Sequence, residues 1–147
     1  MILKTKYHGD HDYDESDVIT FKKGIPGFKS LRKYILIPIK DNEMFKILHS
    51  IEDLEIGLIL ASPFNFIKDY SFNLDDEKAE KLGIKKLEDV LVLNTVCLNS
   101  DVRKITMNLK APIVINISCK IGEQLILDDE KYMVKYPLFK EEWLCLL

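Results

Sequence analysis

TMNLKAPIVIN, from Thr106 to Asn116, constrains the fold more than any other stretch, because it reads as a strand, a break and a second strand. Ile105, Met107 and Leu109 alternate with Thr106, Asn108 and Lys110, the period-two pattern of a half-buried strand. Pro112 lacks a backbone N–H and biases Ala111 away from the helical region, so it belongs at a strand entrance, an edge or a bulge. Ile113, Val114 and Ile115 then form a β-branched run without alternation, which predicts a strand covered on both faces.

The remaining segments carry the same signature. Ile2 to Tyr7 and Val18 to Phe21 read as short strands flanking a polar loop, HGDHDYDESD. GIPGF, Gly24 to Phe28, is a tight connection in which Pro26 presets φ and Gly27 supplies the positive φ of a type II turn; Phe28 is expected to anchor it. Tyr34 to Ile39 is a strand with an edge or a bend at Pro38, and Phe45–Leu48 and Ile56–Leu60 are two more. Irregular extended chain is expected around Pro63. One helix is predicted, capped by Asp75, with Asp76 and Glu77 in its first turn and Gly83 as its stop.

Val90–Leu98 and Arg103–Leu109 follow as strands across an Asn99–Asp101 turn. Ile121–Leu127, with Gly122 as a turn or bulge, and Tyr132–Tyr136 are expected to pair around the acidic turn at Asp128–Glu130. Turn signals recurring every ~8–12 residues predict a mainly β fold, a compact antiparallel barrel or sandwich with one or two short helices. One domain spanning residues 1–147 is expected. Trp143 and Leu144, in the apolar EEWLCLL stretch, are expected to dock on the core or to extend to a neighbouring chain.

Composition narrows the function. Twenty-one basic against 24 acidic residues give a net charge of -3, which disfavours a general nucleic-acid binder and suits a basic protein partner. No apolar run reaches the ~18 residues of a membrane span, and MILKTKYHGD lacks the pattern of a signal peptide. Cys97, Cys119 and Cys145 are unpatterned and sit among apolar neighbours, which predicts reduced thiols in the core and a cytoplasmic location.

Catalytic and metal motifs fail. Counted from Asp10, the sixth and twelfth positions of a calcium loop hold Glu15 and Phe21 instead of glycine and glutamate. His8 and His11 lack a nearby third ligand and read as surface histidines. His49 with a cysteine would make a hydrolase pair, but no local signature supports it. Gly24 and Gly27 match no phosphate-binding loop. We therefore expect no catalytic residue, no metal and no cofactor. An alternative class is a nucleic-acid-binding barrel of OB type, with Tyr132, Lys135 and Tyr136 as a stacking platform.

Taken in order, VITFKKGIPGF, FKILHSIED, LILASP, DYSFNL, TMNLKAPIVIN, KIGEQLIL and YMVKYPL resemble the bacterial flagellar assembly factor FliW family. His49, Met107, Lys120 and Lys135 stand where that family commonly has glutamine, valine and two arginines. The resemblance implies a regulator that binds the translational repressor CsrA, relieving its hold on flagellin mRNA, and that also binds flagellin in a partner switch. For the contact surface we expect Ile51 and Phe64 as apolar anchors, Glu52 and Asp53 as charges facing a basic partner, and Asn65 as a rim hydrogen-bonding residue. The acidic Asp10–Asp17 loop is a second docking candidate, and direct RNA or membrane binding is not expected.

Overall fold

The computed structural model describes residues 1–139. The expectations for Trp143, Leu144 and Cys145 lie outside the described residues. Eleven strands run in chain order as β1 (Ile2–Lys4), β2 (Asp10–Asp12), β3 (Ile19–Thr20), β4 (Lys33–Ile39), β5 (Asn42–Ser50), β6 (Gly57–Ala61), β7 (Val90–Cys97), β8 (Thr106–Met107), β9 (Ile113–Asn116), β10 (Ile121–Gln124) and β11 (Tyr136–Pro137). The fold is mainly β, as the turn spacing predicts. Strand order β7-β6-β5-β4-β3-β10-β9 returns to β7, so these strands close into a barrel. Every pairing in that ring is antiparallel except one residue pair, Thr20 against Ile121, where β3 meets β10 in parallel.

The Thr106–Asn116 stretch lies along a single edge of β7. β9 pairs with it from Val90↔Asn116 to Leu93↔Ile113, and β8 resumes at Val96↔Met107. Between these ladders, Asn108 to Pro112 face only Asn94 and Thr95, so the break at Pro112 is a bulge. Asn94 fills the gap: its Nδ2 donates to the Asn108 carbonyl at 2.8 Å and to the Tyr70 hydroxyl at 3.3 Å. Tyr70 in turn donates to the Leu109 carbonyl at 2.6 Å. β9 is buried at all four positions, as its unbroken apolar run predicts.

Alternation sorts the side chains into layers. Tyr34, Leu48, Leu60, Leu93, Ile113 and Ile115 point into the barrel with Phe21. Ile35, Ile37 and Ile47 point outward, and the β1–β2 hairpin covers them by burying Leu3. A third layer, around Tyr70, Met107, Leu109 and Tyr132, packs outside β6, β7 and β8. The helix α1 (Asp76–Lys81) sits outside the barrel, its N-cap Asp75 accepting from the Lys78 N–H at 2.7 Å and Gly83 taking φ +67 at its end.

Several local expectations are corrected. The polar loop contains β2, because Asp10–Asp12 pairs with Lys4–Ile2 and turns His11 inward opposite Leu3. Arg103–Leu109 shortens to β8, preceded by a 3-10 turn at Val102–Lys104 that Asp101 caps. Ile121–Leu127 and Tyr132–Tyr136 do not pair with each other. β10 pairs with β9 and β3, while β11 pairs with β8, since the Tyr132 ring is drawn under Tyr70. Gly122 is neither turn nor bulge; it lies within β10 where the Phe21 ring leaves no room for a side chain. Ile25, 2% exposed, anchors the GIPGF turn in place of the half-buried Phe28. Cys97 and Cys119 are exposed rather than core, because Cys97 follows Val96, which is buried in the outer layer, and Cys119 lies in the turn after β9.

Candidate partner-binding surfaces

The β5–β6 connection is held by its own polar side chains. Ser50 Oγ accepts from the N–H groups of Glu52 and Asp53, both at 3.0 Å, and Asp53 Oδ1 accepts from the Glu55 N–H at 3.0 Å. Glu52 reaches across to the start of β4, where its Oε1 accepts from the Arg32 and Lys33 N–H groups at 2.7 and 2.8 Å. Those two backbone donors hold its carboxyl below the usual range, so it is ionised and its charge is partly committed to the fold. Glu52→Ala should cost about 1 kcal/mol, discounted for exposure, in urea unfolding at neutral pH. Because the folded pKa is depressed, that contribution is lost as pH falls through it, and the difference between the two proteins should shrink in acid.

Ile51 is half-buried in the layer beneath the β1–β2 hairpin rather than projecting as an anchor. The exposed apolar side chains at this end are Leu54 at 46% and Tyr7 at 65%, brought together by the Lys6 N–H to Leu54 carbonyl bond of 2.9 Å. Sequence reading missed both. Leu54 sits between two acids in an unperiodic turn, and Tyr7 is 47 positions from it, with no pattern to join them. The Lys6–Glu55 ion pair at 2.9 Å closes the rim.

Phe64 and Asn65 lie elsewhere. Both are exposed in a 3-10 turn after β6, with the Phe64 ring 6.0 Å from Tyr70. The hairpin register runs from His49↔Gly57 to Phe45↔Ala61, so the acidic turn and Phe64 stand at opposite ends of it, about 14 Å apart along the strands. Met44, 42% exposed, precedes Phe45 at the Phe64 end. Thus the five expected contact residues fall into two groups rather than one patch.

All three histidines converge beside the acidic turn. His49 is fully buried, its Nδ1 2.8 Å from the Ser50 carbonyl and its Nε2 without a partner among the described residues. Its ring meets the half-buried His8 edge-on at 5.8 Å, and His11 Nε2 lies 2.6 Å from the His8 carbonyl. A Cβ on Gly57 would strike His49 Cδ2 at 2.7 Å, which explains the glycine. His8 and His11 are therefore packed residues, not surface ones, and the ring partner of His49 is an imidazole. Among the described residues no group of His, Cys, Asp or Glu is arranged to hold a metal.

Burial, aided by His49 and His11, pushes the His8 pKa below its ordinary value. The unfolded chain then binds the extra proton more readily, so stability is lost as pH falls below about 6.5. The urea midpoint should drop between about pH 7.5 and about pH 5.5, and His8→Gln should flatten that dependence.

Tyr132 is 7% exposed, and its hydroxyl donates to the Ser71 carbonyl at 2.8 Å. A buried ring cannot serve as a base-stacking platform, which removes the central element of an OB-type surface. No helix among the described residues is long and apolar enough to cross a membrane.

With this geometry in view, comparison with known proteins is decisive. Residues 2–138 match the family model described as FliW protein. The chain belongs to the FliW family of flagellar assembly factors. Among similar FliW proteins, that of Clostridium kluyveri is 57% identical over 145 residues, covering 99% of this chain and 100% of the relative. That of Clostridium novyi is 60% identical over 141 residues, covering 96% and 99%. A crystal structure of the flagellar assembly factor FliW superposes with a TM-score of 0.89 at 35% identity, covering 97% of this chain and 99% of that one. The FliW match accounts for the order of motifs along the sequence and for the barrel that they build.

Proposed function

We propose that the chain works by binding rather than by catalysis, as a cytoplasmic regulator with two protein partners, CsrA and flagellin. Free protein would bind CsrA and lift its repression of flagellin mRNA; flagellin that accumulates would occupy the protein and release CsrA. The observation that carries this reading is the FliW match over residues 2–138. It is supported by an exposed surface in which Leu54 stands between Asp53 and Glu55, with Tyr7 exposed beside Lys6, a composition suited to a basic protein.

On this reading Glu52 and Asp53 face the basic partner, Leu54 supplies the apolar contact and Ile51 supports the turn from beneath. Phe64 and Asn65 form a second contact at the other end of the hairpin. Partner exchange is then a difference of affinities, and each partner lowers the affinity for the other by the same factor.

Reconstituted translation from a flagellin leader repressed by CsrA is the test. Added protein should restore synthesis, and Asp53→Lys with Leu54→Asp should raise the concentration required by about tenfold or more. Phe64→Ala tests the second contact separately. Repression unaffected by the wild-type protein would overturn the reading.

A further inference from the structure

β10 ends at Gln124, but its hydrogen bonding to the neighbouring chain does not. The register set by Ile121↔Asn116 and Gln124↔Ile113 continues in two further bonds, Leu125 N–H to the Pro112 carbonyl at 2.8 Å and Leu127 N–H to the Lys110 carbonyl at 2.7 Å. Residues 125 and 127 therefore direct their N–H groups toward β9's side, and 126 and 128 direct theirs the opposite way. On that opposite side the sheet has no neighbouring strand among the described residues. β3 meets β10 only at Ile121, and the chain then leaves because the Phe21 N–H bonds to the Arg32 carbonyl at 2.7 Å.

The space beside this edge is a cleft of about 640 Å³, walled by the GIPGF turn on one flank and by Asn73–Asp75 on the other. Among the described residues the backbone groups of Ile126 and Asp128 have no hydrogen-bond partner, and neither do those of Asn73 and Leu74. Ile126 is 68% exposed at the lip. Exposed unpaired strand edges are templates for added strands, and proteins that do not use them usually cover them.

We propose that this edge receives an extended segment of a protein partner, which adds a strand beside Gln124–Asp128. Backbone bonding to Ile126 and Asp128 would supply affinity, and alternate side chains would supply selectivity. The charges define the segment further. Asp75 is spent on capping α1, and Glu123 is held by Lys78 and lies 3.8 Å from Lys23. Lys23 is 66% exposed and Lys29 has no ion pair among the described residues, both on the GIPGF flank. Asp128, at the far end, has no ion pair among the described residues. The segment is therefore apolar against Ile126 and acidic where it meets Lys23 and Lys29.

This inference rests on the reading that the chain binds CsrA or flagellin, and amide hydrogen exchange separates the two claims. In the free protein Leu125 and Leu127 should exchange slowly, and Ile126 and Asp128 rapidly. In complex with one of the two partners, exchange at Ile126 and Asp128 should slow by about tenfold or more. Ile126→Pro removes the donor and should weaken that partner by a similar factor, while Lys29→Glu, which leaves the backbone intact, should weaken it less. A complex in which Ile126 and Asp128 exchange as before would overturn the added strand and leave the binding role standing. Failure of both proteins to bind would overturn the two together.

Discussion

Gly24→Ala is expected to destabilise the protein by about 3 kcal/mol or more, a large fraction of the stability of a small domain. Gly24 has φ +68, where an L-residue already costs about 1 kcal/mol. The added Cβ would also lie 2.5 Å from the Lys29 carbonyl oxygen and 2.7 Å from its Cα. Those are backbone atoms, so no rotamer change relieves the contact and the turn itself must open. Opening it strains the Phe28 N–H to Ile25 carbonyl bond of 2.7 Å and pulls on Ile25 in the barrel core. Gly27→Ala is the internal control. It has φ +93 but nothing within 4 Å of a new Cβ, so it should cost only about 1 kcal/mol. Urea midpoints of the two variants separate the clash from the conformational penalty, and equal losses would show that the clash has been overestimated.

The second large effect lies at the barrel centre. Phe21 is fully buried, meets Tyr34 edge-to-face at 5.3 Å and rests on the bare backbone of Gly122. Phe21→Ala should cost about 3–5 kcal/mol through lost burial and a cavity. Gly122→Ala, whose Cβ would fall 2.6 Å from Phe21 Cε1 and 3.3 Å from Ile115 Cγ1, should cost about 1–3 kcal/mol by overpacking. The two sites share one volume, so their effects are coupled. With the ring removed the methyl group has space, and the double variant should be less destabilised than the two losses added together. Strict additivity would mean that the ring moves aside freely and that Gly122 is not there to seat it.

Local chemistry made some elements readable. Asp75, the acidic first turn and Gly83 define α1 from neighbouring residues alone, and the structure has those caps. The unbroken Ile113–Ile115 run announced a strand buried on both faces for the same reason. Strand partners were a different matter, because pairing is decided between residues far apart. Nothing near Tyr132 indicates that its ring will pack at 4.7 Å from Tyr70 and carry β11 away from β10 toward β8. β2 was hidden by its own composition, since Asp10, His11 and Asp12 carry no strand pattern and pair only against β1, whose Leu3 is buried over Ile35, Ile37 and Ile47. The cysteines misled for a related reason: apolar neighbours in sequence do not fix which face of a strand, or which side of a turn, a thiol occupies.

The candidate surface was legible in part. Ser50, Glu52 and Asp53 are a turn by residue type, and the structure shows all three bonded to backbone N–H groups. Exposure could not be read there, and it is Leu54 rather than Ile51 that faces outward. The distance between that turn and Phe64 depended on hairpin register, which sets His49 opposite Gly57 at one end and Phe45 opposite Ala61 at the other. The open edge beyond Gln124 was invisible in sequence, because β3 stops short of it for reasons that lie in Arg32.

Isothermal titration of the protein with CsrA from the same cell, alone and after saturation with flagellin, tests the central claim most directly. Tight binding of CsrA that disappears in the presence of flagellin is the predicted result. Heats that are absent with both proteins, or CsrA binding that flagellin leaves unchanged, would contradict the partner switch.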